Sequence, residues 1–146
     1  MGIADREGDG MPKASILLAD DNAFILDHVR RLLERDGQFN IVASIKNADS
    51  IVRETTRLKP DIIILDISMG EVNGIDVATE LRDSGIRTKV VFLTVHDDSE
   101  SVNAAIGAGG SAYVIKTRLV TDLTSAIRAA LAGKLFVSPS LMFKEK

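Results

Sequence analysis

The sequence contains no cysteine and no tryptophan, and aromatic residues make up only 4% of its 146 positions. The absence of cysteine excludes disulfides, thiolate metal sites and cysteine nucleophiles. Because aromatic residues are scarce, the core must be built from isoleucine, valine, leucine and alanine. The net charge of -3 argues against nucleic-acid binding by this chain itself, since such binding usually needs a basic face.

Long apolar segments are also missing. No run reaches the length of a transmembrane helix, and the N-terminus lacks the basic start and apolar stretch of a signal peptide. A cytoplasmic location without a membrane partner is therefore expected. The length predicts one domain, placed at residues 13–133. Residues 1–12 are polar and glycine-rich, as in a disordered tail or an expression remnant, and residues 134–146 read as the start of a linker.

Short apolar runs alternate with longer stretches of helical spacing. The segments ILLA, IIIL and VVFL are apolar at every position, which is typical of strands covered on both faces in a parallel sheet. Glycine or proline follows most of the helical stretches, as expected at helix ends. Repeated strand–helix units predict an α/β fold: a three-layer, doubly wound parallel sheet of five strands. The apolar runs lie at 15–19, 39–44, 61–65, 89–94 and 111–116.

Charged and polar residues stand where the predicted strands end. In an open parallel sheet, ligands bind outside the carboxyl ends of the strands. Any one of these residues is as well explained by an ordinary strand end, but the whole set together favours a functional site. The set consists of Asp20 and Asp21 after the first strand, Asp66 after the third, Thr94 at the end of the fourth and Lys116 at the end of the fifth.

This set of side chains suits the transfer of a phosphoryl group to a carboxylate. Two or three carboxylates make a Mg²⁺ site. Without an ion, two carboxylates about 4 Å apart repel each other by about 4 kcal/mol at an effective dielectric of roughly 20. A divalent cation between the carboxylates makes the net interaction attractive, and it neutralises charge on a transferring phosphoryl group. One carboxylate can then act as the nucleophile, while a hydroxyl and a lysine stabilise the phosphoryl oxygens.

The motifs LLADDNAFI, IIILDISMGEVNGID, VVFLTVHDD and AGGSAYVIKT together resemble the receiver domain of two-component response regulators, over residues 14 to about 132. The resemblance implies a flavodoxin-like sheet with strand order 2-1-3-4-5. The pair Lys116-Thr117 and the segment AIRAALAGKLFVSPSL are similar to the subgroup that carries a C-terminal helix-turn-helix DNA-binding domain. Residues 133–146 are too short to form that domain.

The resemblance implies roles for the acidic residues. Asp66 would accept a phosphoryl group from a sensor histidine kinase. Asp20 and Asp21 would bind Mg²⁺ together with Asp66 and the backbone carbonyl of Ser68. The domain would then be a phosphoacceptor that assists its own phosphorylation and dephosphorylation, and not an enzyme.

Further roles follow from the same resemblance. Thr94 would hydrogen-bond the phosphoryl oxygens, and Lys116 would pair with Asp66 and later with the phosphate. Tyr113 matches the family's aromatic switch, which turns inward when the threonine moves. The switch would change the face made by the fourth helix, fifth strand and fifth helix. That face would bind a partner or a second copy of the chain and control an output, transcription in a full-length parent.

Several positions depart from the family's usual pattern. Gly70 replaces a usual proline and is expected to loosen the loop after Asp66. Val95 replaces a usually small residue and would narrow access to the site. His96 stands where variable residues tune dephosphorylation, and Thr117 replaces a proline that often follows the lysine.

Three other functions would need different features of the sequence. A degenerate receiver would bind partners without being phosphorylated, and the departures at Gly70 and Val95 keep that alternative open. A Mg²⁺-dependent phosphatase with an aspartate nucleophile is disfavoured, since Asp66-Ile67-Ser68 lacks a second acid. A dinucleotide-binding domain would need glycines after the first strand, where this chain has DDNAF.

Overall fold

The parallel sheet that the sequence predicts is present in the computed structural model, which describes residues 13–139. The tail at residues 1–12 and the later part of the linker, residues 140–146, lie outside the described residues. In chain order, the strands are β1 (Ala14–Ala19), β2 (Phe39–Ile45), β3 (Ile62–Leu65), β4 (Ser68–Met69), β5 (Val72–Asn73), β6 (Lys89–Thr94), β7 (Ala112–Ile115) and β8 (Phe136–Val137). The α-helices are α1 (Ala23–Asp36), α2 (Ile51–Leu58), α3 (Gly74–Asp83), α4 (Ser99–Gly107) and α5 (Leu119–Leu131).

The order of strands in the main sheet is β2-β1-β3-β6-β7-β8, and every pairing in it is parallel. Strands β4 and β5 form a separate antiparallel hairpin. Without that hairpin, the first five strands of the sheet follow the predicted order 2-1-3-4-5, so the predicted fold class is confirmed. The additional strand β8 extends the sheet beyond β7, within the stretch where the sequence suggests a linker.

Two apolar cores cover the two faces of the sheet. On one face, alternate strand residues such as Leu17 and Phe92 pack with α2, α3 and α4. On the other face, Ile16 and Val91 pack with α1 and α5. Because both faces are covered, the inner strands β1, β3 and β6 are apolar at nearly every position, as the runs ILLA, IIIL and VVFL indicate. No helix within residues 13–139 has the length and apolar character needed to cross a membrane.

Local residues account for the ends of the first helix, which follows the two adjacent aspartates. Asn22 caps α1, since its side chain accepts hydrogen bonds from the backbone N–H groups of Phe24 and Ile25. Gly37 ends the helix in a left-handed conformation with φ of 80°. Strand β1 and helix α1 are therefore joined by the short segment 20–22, which carries the aspartates to the edge of the sheet.

Candidate functional site

Four strands bring the predicted site residues to one edge of the sheet. Asp20 follows β1, Asp66 follows β3, Thr94 ends β6 and Lys116 follows β7. The backbone pairing continues beyond the strands, since the Asp66 N–H donates to the Ala19 carbonyl at 3.0 Å. Because the strands are parallel and adjacent, their carboxyl ends meet and place these side chains together, as the sequence predicts.

The three aspartates at this edge have the geometry of a metal-binding group. Asp20, Asp21 and Asp66 each offer a carboxylate oxygen, and these oxygens lie within 4.8 Å of one another. Asp20 and Asp66 are buried, whereas Asp21 is exposed to solvent. The buried Oδ2 of Asp20 accepts no hydrogen bond of suitable geometry within the described residues. A divalent cation with oxygen ligands would satisfy that atom, so the residues fit such an ion.

Lys116 is the cation of the site. Its Nζ lies 2.9 Å from Asp20 Oδ2 and 3.3 Å from Asp66 Oδ2. The contact with Asp20 is an ion pair. Burial disfavours the charged lysine, but its attraction to the Asp20 and Asp66 carboxylates outweighs burial and raises the pKa of Lys116. The lysine therefore stays protonated beside the acids.

The environment of Asp66 differs from that of an ordinary surface carboxylate. Burial raises the pKa of Asp66 above its usual value, and the neighbouring Asp20 charge adds to that rise. Lys116 and the backbone N–H of Ser68 oppose the rise without cancelling it. One ammonium among three carboxylates leaves the cluster with an excess of negative charge, which a bound cation would relieve.

Thr94, His96 and Tyr113 form a connected group beside the acids. The Thr94 Oγ1 accepts a hydrogen bond from the His96 N–H at 3.1 Å, and the Tyr113 hydroxyl donates to the His96 carbonyl at 2.8 Å. Thr94 and Tyr113 are fully buried, with the tyrosine ring turned into the core against Phe92. Burial, with the nearby acidic residues Asp98 and Asp97, raises the pKa of Tyr113, so its hydroxyl stays a donor.

The two predicted modulating residues lie on the loop after β6. The His96 Nε2 lies 2.8 Å from the hydroxyl of Ser68, so the imidazole bridges two loops at the rim of the site. Val95 keeps 65% of its surface exposed. The structure therefore joins His96 to the site through a direct contact, which the spacing of the sequence does not reveal.

The loop after Asp66 is tied to the site by hydrogen bonds. It folds into the β4–β5 hairpin, in which Gly70 adopts a left-handed conformation with φ of 62°. The Gly70 N–H donates to Asp21 Oδ2 at 3.1 Å, and the Ser68 N–H donates to Asp66 Oδ1 at 3.3 Å. Gly70 therefore makes a tight turn that contacts the acidic cluster.

Gly74 is a residue whose importance the sequence does not reveal. It begins α3, and its N–H donates to the Ile67 carbonyl at 2.6 Å. A Cβ atom at this position would lie only 2.2 Å from the backbone oxygen of Asp66. The backbone of α3 therefore packs directly against the residue that carries the central carboxylate, and only glycine leaves room for that approach. The sequence shows the glycine but not the neighbour it accommodates.

Sequence comparisons place this chain among known signalling proteins. The family model described as response regulator receiver domain matches residues 16–128. The nitrate/nitrite response regulator protein NarP of Escherichia coli (strain K12) is 35% identical over 126 residues, which cover 84% of this chain and 59% of NarP. The transcriptional regulatory protein DegU of Brevibacillus brevis is 28% identical over 129 residues, which cover 88% of this chain and 55% of DegU. The chain thus spans somewhat more than half the length of these curated relatives.

A solved structure shows the same fold. The crystal structure of a two-component response regulator of the LuxR family from Aurantimonas sp. SI85-9A1 superposes with a TM-score of 0.84 at 31% sequence identity. The superposition covers 89% of this chain and 93% of that one. The similarity therefore extends over most of the fold.

Proposed function

Because the chain belongs to the response regulator receiver domain family, we propose that it is a signalling switch controlled by phosphorylation of Asp66. Receiver domains are in general signalling domains and not enzymes. The observation that carries the proposal is the buried Asp66 carboxylate, which lies against Lys116 at an open edge of the sheet and belongs to a group of three aspartates. We place the receiver unit at residues 13–133.

The proposed reaction is a displacement at phosphorus. An oxygen of the ionised Asp66 attacks the phosphorus of a phosphohistidine on a sensor kinase. The bond between phosphorus and the imidazole nitrogen breaks, and its electron pair leaves with the imidazole. The raised pKa of Asp66 means that its charge is poorly stabilised by the protein alone, which favours a reactive carboxylate.

Asp20, Asp21, Asp66 and the backbone carbonyl of Ser68 are the proposed ligands of Mg²⁺. The ion, when bound, supplies positive charge to the carboxylates and to the transferring phosphoryl group. The buried Oδ2 of Asp20 supports this assignment, since in the described part of the chain it accepts no hydrogen bond and is paired by charge with Lys116. The exposed Asp21 is proposed to be the ligand on the solvent side of the site.

Lys116 and Thr94 are proposed to bind the phosphoryl oxygens after transfer. Lys116 already contacts Asp66 and can keep its charge beside the new phosphate. The Thr94 oxygen accepts a hydrogen bond from His96 N–H, so its own hydrogen remains available for a phosphoryl oxygen. A Thr94 that moves toward the phosphate would pull on His96, whose carbonyl holds the Tyr113 hydroxyl. Tyr113 is thus the proposed switch that carries the change to the α4–β7–α5 face.

Val95 and His96 are proposed to modulate dephosphorylation. The contact between His96 and Ser68 places an imidazole at the rim of the site, where it would contact water that approaches an aspartyl phosphate from that side. The exposed Val95 would hinder the same approach. Neither residue is needed for the transfer itself.

The partners and the output of the switch are proposals as well. A sensor histidine kinase would supply the phosphoryl group, and the α4–β7–α5 face would bind a second copy or another partner. NarP and DegU are named as a response regulator and a transcriptional regulator, which supports control of transcription by a longer parent protein.

The direct test is phosphorylation by a small donor. The wild-type chain incubated with Mg²⁺ and acetyl phosphate should gain the mass of one phosphoryl group, measured on the intact protein. Asp66→Asn should gain none, because its amide cannot attack phosphorus. The exposed Asp49→Asn is the matched control and should behave as wild type. An unmodified wild type, or an equal adduct on Asp66→Asn, would favour a degenerate receiver that binds partners without phosphorylation.

A further inference from the structure

Strand β8 and the residue after it occupy the edge of β7. Val137 pairs with Tyr113 in parallel register, and the Ser138 N–H donates to the Tyr113 carbonyl at 2.9 Å. Ser138 has no solvent-exposed surface, although it lies close to the end of the described chain. A hydroxyl buried in this way needs hydrogen-bond partners, because an unpaired polar group would destabilise the docked strand.

The Ser138 hydroxyl joins two elements of the receiver. Its oxygen accepts a hydrogen bond from the Ile115 N–H at 3.2 Å, and its hydrogen is donated to Asp122 Oδ2 at 2.8 Å. Asp122 is itself buried, and Arg118 donates to its two oxygens at 2.7 and 3.2 Å. Ser138, Asp122 and Arg118 therefore form a satisfied polar network between β8, the end of β7 and α5.

This network holds the chain on both sides of Lys116. Ile115 directly precedes Lys116, and Arg118 ends the short 3-10 turn that Lys116 begins. The Lys116 Nζ, in turn, lies against Asp20 and Asp66. A change in the docking of Ser138 would therefore reach the lysine through its own backbone.

We propose that Ser138 is a positioning residue for Lys116, so that the docking of β8 and the phosphorylation of Asp66 stabilise each other. The inference rests on the proposed function. A lysine side chain is flexible, and a fixed backbone restricts where its ammonium group can lie. An ammonium group that is already in place stabilises an arriving negative charge without reorganisation. Since such coupling is reciprocal, a phosphoryl group on Asp66 should strengthen the docking of the chain that follows α5.

The first experiment measures binding of BeF₃⁻, which forms a phosphoryl-like adduct on a carboxylate. In the presence of Mg²⁺, Ser138→Ala should bind BeF₃⁻ about fivefold more weakly than wild type, the low end of usual coupling between sites. Its affinity for Mg²⁺ alone should not fall, because the aspartates are the proposed ligands and the nearby Lys116 ammonium repels the ion. Ser125→Ala, at an exposed position on α5, is the control and should bind both ligands as wild type does.

Two outcomes of this experiment would overturn the proposal. An unchanged BeF₃⁻ affinity in folded Ser138→Ala would show that the hydroxyl does not position the lysine. Equal weakening of Mg²⁺ and BeF₃⁻ binding would show that the variant only loosens the whole domain. Either result leaves the proposed role of Asp66 intact.

The second experiment uses the wild-type chain and does not depend on a variant that folds. In the presence of Mg²⁺, addition of BeF₃⁻ should slow amide hydrogen exchange at Ile115 and Ser138, as measured by NMR. The amides of β2, at the opposite edge of the sheet, are the internal control. If BeF₃⁻ binds but exchange is unchanged or faster, the coupling is refuted while the proposed function stands. Failure of BeF₃⁻ to bind would instead contradict the proposed function, and the coupling with it.

Discussion

At the scale of single residues, the site combines groups that destabilise one another. Asp20 and Asp66 are both buried, and the charge of Asp20 disfavours the ionised form of Asp66. Lys116 offsets part of this repulsion, yet the pKa of Asp66 remains raised. A folded protein keeps such an arrangement only when the rest of the structure supports it, and strain of this kind is common at functional sites.

The raised pKa of Asp66 predicts a pH-dependent effect of Asp66→Asn on stability. In the unfolded chain, Asp66 ionises near its ordinary pKa of 3.8. In the folded protein it ionises at higher pH, so the unfolded state is favoured as the pH rises through the raised pKa. With EDTA present, Asp66→Asn should therefore unfold at a higher urea concentration than wild type at neutral pH. The difference should shrink as the pH falls toward 3.8.

The matched control for this prediction is Asp49→Asn, which changes an exposed carboxylate. It should not alter the urea midpoint at either pH. A folded Asp66→Asn that is less stable than wild type at neutral pH would contradict the prediction. It would show that the ionised Asp66 stabilises the folded state through Lys116.

At the scale of secondary structure, the start of α3 is fitted against the end of β3. A methyl group on Gly74 would lie 2.2 Å from the Asp66 carbonyl oxygen, a backbone atom that cannot move without moving the site. Gly74→Ala should therefore cost about 1–3 kcal/mol of unfolding free energy, as overpacking does. It should also slow phosphorylation by acetyl phosphate, because relief of the clash displaces Asp66.

Gly107 provides a control for the effect of Gly74→Ala. It ends α4 without a left-handed conformation, and a Cβ there would meet no other atom within 4 Å. Gly107→Ala should leave phosphorylation unchanged and stability unchanged or slightly higher. Equal stability of Gly74→Ala and wild type in urea unfolding would mean that the close approach of α3 to Asp66 does not constrain the loop.

The same elements show which parts of the structure can be predicted from the sequence. The helices carry a hydrophobic period, and β1, β2, β3, β6 and β7 coincide with the short apolar runs, so these elements are evident from the sequence. Strands β4, β5 and β8 have only two residues each, too few for any period. They depend on tertiary contacts such as the bond between Gly70 and Asp21, and on the burial of Ser138. The site follows a similar division.

At the site, the residues at strand ends are predictable because parallel strands place their carboxyl ends together. The bonds between Ser68 and His96, or between Ser138 and Asp122, join residues distant in sequence and depend on side-chain conformations. The close approach behind Gly74 is likewise a property of packing. A sequence supplies the side chains for such contacts, but only the folded chain determines their distances.

At the scale of the whole molecule, the fold concentrates negative charge at one edge of the sheet. The chain as a whole carries a net charge of only -3. The aspartates of the site nevertheless gather at the ends of adjacent strands, within 4.8 Å of one another. The unfolded chain separates these carboxylates, so a cation that needs all of them should bind the folded state alone.

That difference predicts a stabilising effect of Mg²⁺ on the whole domain. At roughly ten times its dissociation constant, a ligand specific to the folded state adds about 1.4 kcal/mol. In a chain of this size, that free energy corresponds to a rise in Tm of about 5 °C, measurable by circular dichroism. Asp21→Asn should abolish the shift, since it removes the charge of an exposed ligand, while its amide oxygen can still accept the hydrogen bond from the Gly70 N–H. Asp49→Asn should retain it, because that carboxylate lies outside the cluster. A Tm of the wild type that does not respond to millimolar Mg²⁺, or an equal response in Asp21→Asn, would mean that the acidic edge is not the metal site.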